Sequence, residues 1–185
     1  LAIELLEEGA DPNFRNSSDD LNTPLHVAAQ SGSEEMVKIL LRYGASVNTL
    51  SDIHDTPLLA AASGGAIKSD QDLWEWAVNG SKGEQKIYDK QNKQIFNVVK
   101  ILVDAGSDVH HKNIYGNTAL HKAAANGYHC TISHLLTFGM KVNQRNEDGA
   151  TPLHLAAYSG NLRSCKELVR GGADVNIPDD SGKSP

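Results

Sequence analysis

One short pattern recurs along the chain at an interval of 33 residues, and it restricts the choice of fold more than any other feature. The interval between the two middle copies is 62 residues, which is one period plus 29. The copies read T-P-L-H at 23–26, T-P-L-L at 56–59, T-A-L-H at 118–121 and T-P-L-H at 151–154. A period of this length predicts an array of stacked units, each burying its apolar face against its neighbours, rather than one central core.

Each unit has the sequence signals of two short helices joined by turns. In the unit that begins at Thr23, this threonine suits the N-cap and Pro24 suits the first helical position. Gly32 ends the first helix, an apolar stripe at helical spacing marks the second, and Gly44 supplies the left-handed residue that ends it. The unit is therefore predicted to be a helix-turn-helix.

The patterns T-P-L-H, A-A-x-x-G and L-L-x-x-G-A-D-V-N occur together in fixed register, and this combination resembles the ankyrin repeat over nearly the whole chain. The resemblance implies an all-α solenoid of stacked helix-turn-helix units with β-hairpin-like loops. The predicted divisions are a partial repeat at 1–22, repeats at 23–55, 56–117, 118–150 and 151–183, and the start of another at 184–185. Because the chain begins with Leu1 and half a repeat, we expect it to be a fragment of a longer protein.

The repeat at 56–117 departs most from the pattern. It carries a 29-residue insertion that lies within 66–97, between its two helices, and Leu59 replaces the histidine. His54 lies at a turn position where glycine is expected, as Leu21 does one repeat earlier. The second helix of this repeat is predicted to begin early, from about Lys86.

Two tryptophans within the insertion, Trp74 and Trp76, fall on a predicted short helix. At a spacing of two they cannot both face the same side. Packing against the repeat core and a second binding site both remain open for them.

Composition excludes several classes of function. The net charge of -6 gives no reason to expect nucleic-acid binding, and no apolar run approaches the roughly 18 residues of a membrane helix, so no membrane insertion is predicted. Cys130 and Cys165 are too few and wrongly spaced for a disulfide framework or a zinc site. A reduced cytoplasmic or nuclear location fits best.

The chemistry-bearing side chains do not indicate catalysis. His26, His121 and His154 recur beside a threonine, and the resemblance implies that these pairs tie each helix start to a neighbouring hairpin. His110-His111 with His129 and Cys130 lacks the spacing of known zinc motifs, so no metal or cofactor is predicted. No nucleophile lies beside a base and an orienting acid, so the chain is not predicted to be an enzyme.

The resemblance implies that partners dock on a concave face, made by the hairpin tips and the exposed side of the first helices. Acids outnumber bases there, so a protein or peptide partner with Lys or Arg is predicted, with Tyr115 and Tyr158 as aromatic anchors. A solvated acidic face without a binding role is the alternative. The candidate residues are Asp52, Asp55, Lys112, Tyr115, Asn117, Arg145, Glu147, Asp148, Tyr158, Asp179 and Asp180.

Two further implications come from the family. Asn48, Asn143 and Asn176 occupy the place where ankyrin repeats undergo asparaginyl hydroxylation, while His110 replaces the Asn of its repeat. The chain is expected to be a protein-recognition scaffold. The alternative is a substrate-recognition or regulatory region of a larger enzyme, such as a ubiquitin-ligase subunit or a kinase.

Overall fold

The computed structural model describes residues 2–17, 20–64 and 89–185, and the regular structure within these ranges is helical. An isolated antiparallel bridge joins Asn16 and Asn22. The helices in chain order are α1 (Ala2–Glu7), α2 (Pro24–Gln30), α3 (Glu34–Arg42), α4 (Pro57–Ser63), α5 (89–104), α6 (Ala119–Ala125), α7 (His129–Leu136), α8 (Pro152–Tyr158) and α9 (Leu162–Arg170).

The helices stack in two layers. The first helices of successive repeats, α2, α4, α6 and α8, pack one on the next, and α7 packs on α9 in the second layer. Within a repeat the two helices also contact each other, as α2 does with α3 and α8 with α9. The all-helical solenoid predicted from the period is therefore confirmed.

The leucine of each recurring pattern forms the centre of the stack. Leu25, Leu58, Leu120 and Leu153 are buried at equivalent positions of α2, α4, α6 and α8. Burying one such side chain contributes about 1.5–3 kcal/mol. In α2, α4 and α6 the alanine pair that follows is buried as well, and these small side chains let neighbouring first helices approach closely: Ala28 with Ala29, Ala61 with Ala62, and Ala123 with Ala124.

Helix α5 differs in length from the second helices of the other repeats. It is already helical at residue 89, about two turns before the position equivalent to Glu34, where α3 begins. Its buried face carries Ile95, Val98 and Leu102 into the common core. This early start agrees with the sequence prediction, whereas the predictions for Trp74 and Trp76 lie outside the described residues.

Two hairpin turns adopt left-handed backbone without glycine. Leu21 has φ 57° and His54 has φ 59°, while Gly116 and Gly149 have φ 70° and 72° at the equivalent positions of later repeats. A side chain with a Cβ is strained in this region. The repeat pattern predicts glycine at these two positions because the turn needs a left-handed residue. Leu21 and His54 adopt that conformation at the cost of backbone strain.

Candidate functional site

A tight hairpin leads into each first helix, and one polar side chain closes it from within. The main-chain N–H of Asn146 donates to the carbonyl of Ala150 over 3.0 Å. The Asn146 side-chain oxygen accepts from the N–H groups of Asp148 and Ala150 at 3.1 and 2.9 Å. Asn113 and Asp179 close their hairpins in the same way. An Asn or Asp at this position therefore fixes the tip, as such residues do in other turns.

The hairpin tips are also joined from one repeat to the next. In each case a main-chain N–H donates to a carbonyl of the preceding tip, so successive tips hold a fixed spacing. The bonds run from Asp52 to Asp20, from Ile114 to Ile53, from Glu147 to Tyr115 and from Asp180 to Asp148, at 2.9, 3.1, 3.0 and 3.1 Å. These bonds place the variable tip side chains in a row.

The recurring histidine ties each first helix to the following hairpin. His121 Nδ1 accepts from the N–H of Thr118 at 3.3 Å and lies 2.9 Å from the Thr118 hydroxyl, while its Nε2 lies 3.2 Å from the carbonyl oxygen of Ala150. Because an amide N–H only donates and a carbonyl only accepts, the ring is neutral with its proton on Nε2. His26 and His154 make the same links. The structural role implied by the family resemblance is therefore confirmed.

Burial makes this neutral ring harder to protonate. Burial lowers the pKa of His121 from 6.5 to about 4, an effect only partly opposed by its hydrogen bonds to main-chain carbonyls. The pKa of His26 is also lowered, again mainly by burial. A buried histidine of lowered pKa can resemble a catalytic base, but here both ring nitrogens already have structural partners.

The repeat that begins at Thr56 lacks this link. Leu59 occupies the histidine position and is fully buried, and the Thr56 hydroxyl accepts from the Leu59 N–H at 3.4 Å. The fold thus accommodates an apolar side chain at this position, with one tie fewer to the next hairpin.

We use the name tip surface for the hairpin tips at 52–55, 112–117, 145–150 and 179–180 together with the C-terminal ends of the first helices. A hollow of about 120 Å³ lies between the first of these tips and the helix ends at Gln30 and Ser63. The first tip and these two helix ends therefore border one space.

Eight of the predicted binding residues are exposed on this surface: Arg145 and Asp180, which pair with each other, and six more. Tyr158, at the end of α8, has 95% of its area exposed, and Tyr115, at a hairpin tip, has 52%. The other four of these six are Asp52, Lys112, Glu147 and Asp148. These six can contact a partner without first breaking a bond within a repeat interface.

The other five predicted residues are already engaged within the chain. Asp55 is only 7% exposed, and its carboxylate accepts from Asn113 Nδ2 at 2.9 Å and lies 3.4 Å from Lys122 Nζ. Sequence reasoning missed Lys122, because only the stacking of α6 beside the hairpin brings it to Asp55. The remaining contacts are Asn117 Oδ1 with Asn146 Nδ2 at 3.0 Å, Arg145 with Asp180 at 2.7 Å, and Asp179 with two hairpin N–H groups at 2.9 Å each.

The Asp179 carboxylate shows how this engagement alters the chemistry of a tip acid. Its hydrogen bond from the Lys183 N–H is the main cause that lowers its pKa, and the bond from Ser181 acts in the same direction. Asp179 thus stays charged as it closes its hairpin.

The candidate hydroxylation sites differ in their surroundings. Asn48 donates to the carbonyl of Gly106 at 3.1 Å and accepts from the N–H of Asp108 at 2.9 Å, and so bridges two repeats. Asn143 makes the corresponding bridge. Asn176 is exposed, and its main-chain N–H donates to the Asp174 carboxylate within the same loop. Hydroxylation at these asparagines remains a prediction.

His110 and the pair of His129 and Cys130 lie in separate places. His110 lines a cavity with Met140, while His129 and Cys130 line another with Phe96. Across residues 2–17, 20–64 and 89–185, no group of three or more His, Cys, Asp or Glu side chains could hold a metal ion. In the same ranges, no helix combines the length and apolar character that a membrane span requires.

A comparison with known protein families decides to which family the chain belongs. The family model for ankyrin repeats, in three copies, matches residues 1–73 and 89–179. The chain belongs to the ankyrin-repeat family. Ankyrin repeats generally mediate protein–protein interaction, so a role in binding proteins follows from membership.

Several known proteins contain stretches similar to this ankyrin-repeat chain. A transient receptor potential cation channel subfamily A member 1 homolog of Caenorhabditis elegans is 30% identical over 125 residues, covering 65% of this chain and 10% of the channel. A putative ankyrin repeat protein of fowlpox virus is 32% identical over 141 residues, covering 72% of this chain and 24% of the viral protein.

The ARF GTPase-activating protein Git of Drosophila melanogaster is 46% identical over 57 residues, covering 31% of this chain and 8% of Git. The chain thus spans no more than about a quarter of the length of these relatives. By their names the relatives include a channel and a GTPase-activating protein, so the shared fold does not select one activity.

Proposed function

We propose that this ankyrin-repeat chain recognises a protein or peptide on its tip surface, and that the partner supplies Lys or Arg side chains. The observation that carries the proposal is Tyr158, whose ring is almost wholly exposed at the end of α8. Tyrosine is enriched among the residues that dominate binding energy at interfaces. Tyr115, half exposed at a neighbouring tip, extends the aromatic contact.

Charge supports a basic partner. Asp52, Glu147 and Asp148 outnumber Lys112 among the exposed charges along the row of tips, whereas Asp180 is partly neutralised by Arg145. Exposed charges of one sign accelerate and orient the approach of an oppositely charged partner more than they strengthen the final complex. Binding is therefore expected to weaken as salt is added, since the Debye length falls to about 10 Å at 0.1 M.

The test uses arrays of matched peptides that differ only in charge, with Lys and Arg in one set and Glu in the other. Peptides selected from the basic set should lose about tenfold or more in affinity with the variant Tyr115→Ala/Tyr158→Ala. The variant Glu147→Lys/Asp148→Lys should also weaken them, and should slow association.

Glu35→Lys/Asp104→Lys is the matched control. It makes the same change in net charge at exposed positions of α3 and α5, in the layer of second helices. Equal binding by the control and by the tip variants would contradict the proposal. Preference for the acidic peptides would contradict the charge argument alone.

A second candidate function is a recognition or regulatory region of a larger enzyme, such as a ubiquitin-ligase subunit or a kinase. The chain matches 8% of an ARF GTPase-activating protein and 9% of the human 2-5A-dependent ribonuclease, which is 40% identical over 68 residues. Ankyrin repeats thus occur within much longer enzymes. The sequence of the full-length transcript tests this candidate, because a catalytic domain would lie beside the repeats.

A further inference from the structure

An asparagine bridge recurs between successive repeats. Asn13 accepts from the N–H of Ser46 at 2.7 Å, and Asn48 accepts from the N–H of Asp108 at 2.9 Å. Asn143 does the same with Asp174 at 2.9 Å. Each asparagine also donates to the carbonyl of the glycine that lies two positions before the residue supplying the N–H. These glycines are Gly44, Gly106 and Gly172, at 3.1, 3.1 and 3.5 Å. The amide thus fills the space between adjacent loops.

The bridge is interrupted where His110 replaces the asparagine. The repeat register places His110 opposite the carbonyl of Gly139 and the N–H of Lys141. In the other repeats the equivalent carbonyl accepts from an asparagine side chain and the equivalent N–H donates to it. Among the described residues, the Gly139 carbonyl and the Lys141 N–H have no such asparagine partner. A cavity of about 240 Å³ lies at this point, lined by His110, Gly139 and Lys141.

The walls of this cavity carry positive charge and no acid. Lys112 and Lys141 line it together with His110, and the other lining groups are neutral. The field of Lys112 reaches the neighbouring His121, where it adds to the dominant effect of burial in lowering the pKa. Two lysines and a histidine thus line one space, beside a Lys141 main-chain N–H that lacks the asparagine bridge of the other repeats.

We propose that this cavity binds a phosphate group, held by the Lys141 N–H and by the side chains of Lys112, Lys141 and His110. A phosphate has three acceptor oxygens and up to two negative charges, which match several donors better than a monoanionic carboxylate does. Lysine is a frequent phosphate ligand, acting as a point charge. The group can be inorganic phosphate or the phosphorylated side chain of a bound peptide.

This site goes beyond the proposed partner recognition and shares only Lys112 with it. It does not use the exposed tyrosines or the acidic tips. Phosphate binding can therefore be measured without a protein partner, and failure of one proposal leaves the other in place.

The direct test is titration of the ¹⁵N-labelled chain with inorganic phosphate, observed by amide chemical shifts. The Lys141 amide should shift and saturate, with a dissociation constant in the millimolar range. Lys112→Gln/Lys141→Gln should bind about tenfold more weakly or worse, because two charged contacts are removed. A shift that does not saturate, or that persists unchanged in this variant, would overturn the proposal.

His110→Asn provides a second and opposite perturbation. The asparagine should make the bridge to Gly139 and Lys141 that Asn48 and Asn143 make elsewhere, and so close the cavity. We expect phosphate binding to be lost while the thermal midpoint rises. Tyr115→Ala/Tyr158→Ala is the matched control and should bind phosphate as the parent does. Retained binding in His110→Asn, with the midpoint raised, would refute the assignment to this cavity.

The source and the chemistry of the ligand are separated by two more titrants. A phosphoserine peptide that binds more tightly than inorganic phosphate supports a phosphorylated partner, whereas binding of inorganic phosphate alone supports a free anion. Acetate at equal ionic strength should bind at least about tenfold more weakly. Equal binding of acetate and phosphate would refute a phosphate site.

Discussion

Acidification should destabilise this ankyrin-repeat chain through one buried histidine. His121 is neutral in the folded chain and accepts two hydrogen bonds on Nδ1, so a proton there would face an N–H group. Its pKa is about 4 in the fold and 6.5 in the reference state. Between these values the unfolded chain binds a proton that the folded chain does not, so stability falls as the pH falls.

The size of the effect follows from the two pKa values. A difference of about 2.5 units corresponds to about 3.4 kcal/mol of stability, fully present above pH 6.5 and lost on passing to pH 4. By pH 4.5 the loss should be about 2.5 kcal/mol. His26 should add to this loss in the same direction, because burial lowers its pKa as well.

His121→Leu isolates the contribution of this ring. Leu59 shows that a leucine is fully buried at the equivalent position of the same fold, so the variant should remain folded. The free energy of unfolding should be measured in urea by circular dichroism at pH 7.5 and at pH 4.5. The parent should lose about 2.5 kcal/mol more than the variant between the two pH values.

Carboxylates titrate in both proteins and cancel in this difference. An equal pH dependence in parent and variant would refute the linkage between His121 and stability. A larger pH dependence of the free energy of unfolding in the variant would contradict the predicted sign of the His121 effect.

Two more predictions concern the repeat backbone and the repeat interfaces. Leu21→Gly and His54→Gly should each raise the free energy of unfolding by about 1 kcal/mol, because glycine removes the strain of a left-handed residue; a lower value in urea titration would contradict the strain argument. Asn143→Ala should lower it by about 1–2 kcal/mol, because the Asp174 N–H and the Gly172 carbonyl lose their bridge. The exposed Asn176→Ala should change it by less than about 0.5 kcal/mol, and equal effects of the two alanine variants would show that the bridge is energetically neutral.

Much of the fold could be predicted because the information is local and repeated. The recurring threonine marks the start of each first helix at 24, 57, 119 and 152, and the leucine two residues later is buried each time. Helix spacing also predicted that α5 begins early. Such signals depend on a few neighbouring residues, so they survive the change of sequence between repeats.

The candidate site was predictable in outline and not in its details. Alignment on the repeat identified the tip positions, but it could not separate the exposed Tyr158 from the buried Asp55, which was predicted on the same grounds. The ion pair of Arg145 with Asp180 was also hidden, since its partners lie 35 residues apart. Substitution of Asn by His110 was visible in the sequence, but the cavity beside it was not.

The sequence by itself determined that this chain is a stack of helical pairs, where each pair begins, and which side chains face the neighbouring pair. The tertiary structure decided which polar side chains form hydrogen bonds or ion pairs between repeats and which stay exposed. Asp55 illustrates the reason, because its carboxylate meets Asn113 and Lys122 only after the repeats have stacked. Burial and pairing at an interface between repeats depend on the residues of both repeats. The repeat pattern in the sequence describes each repeat separately.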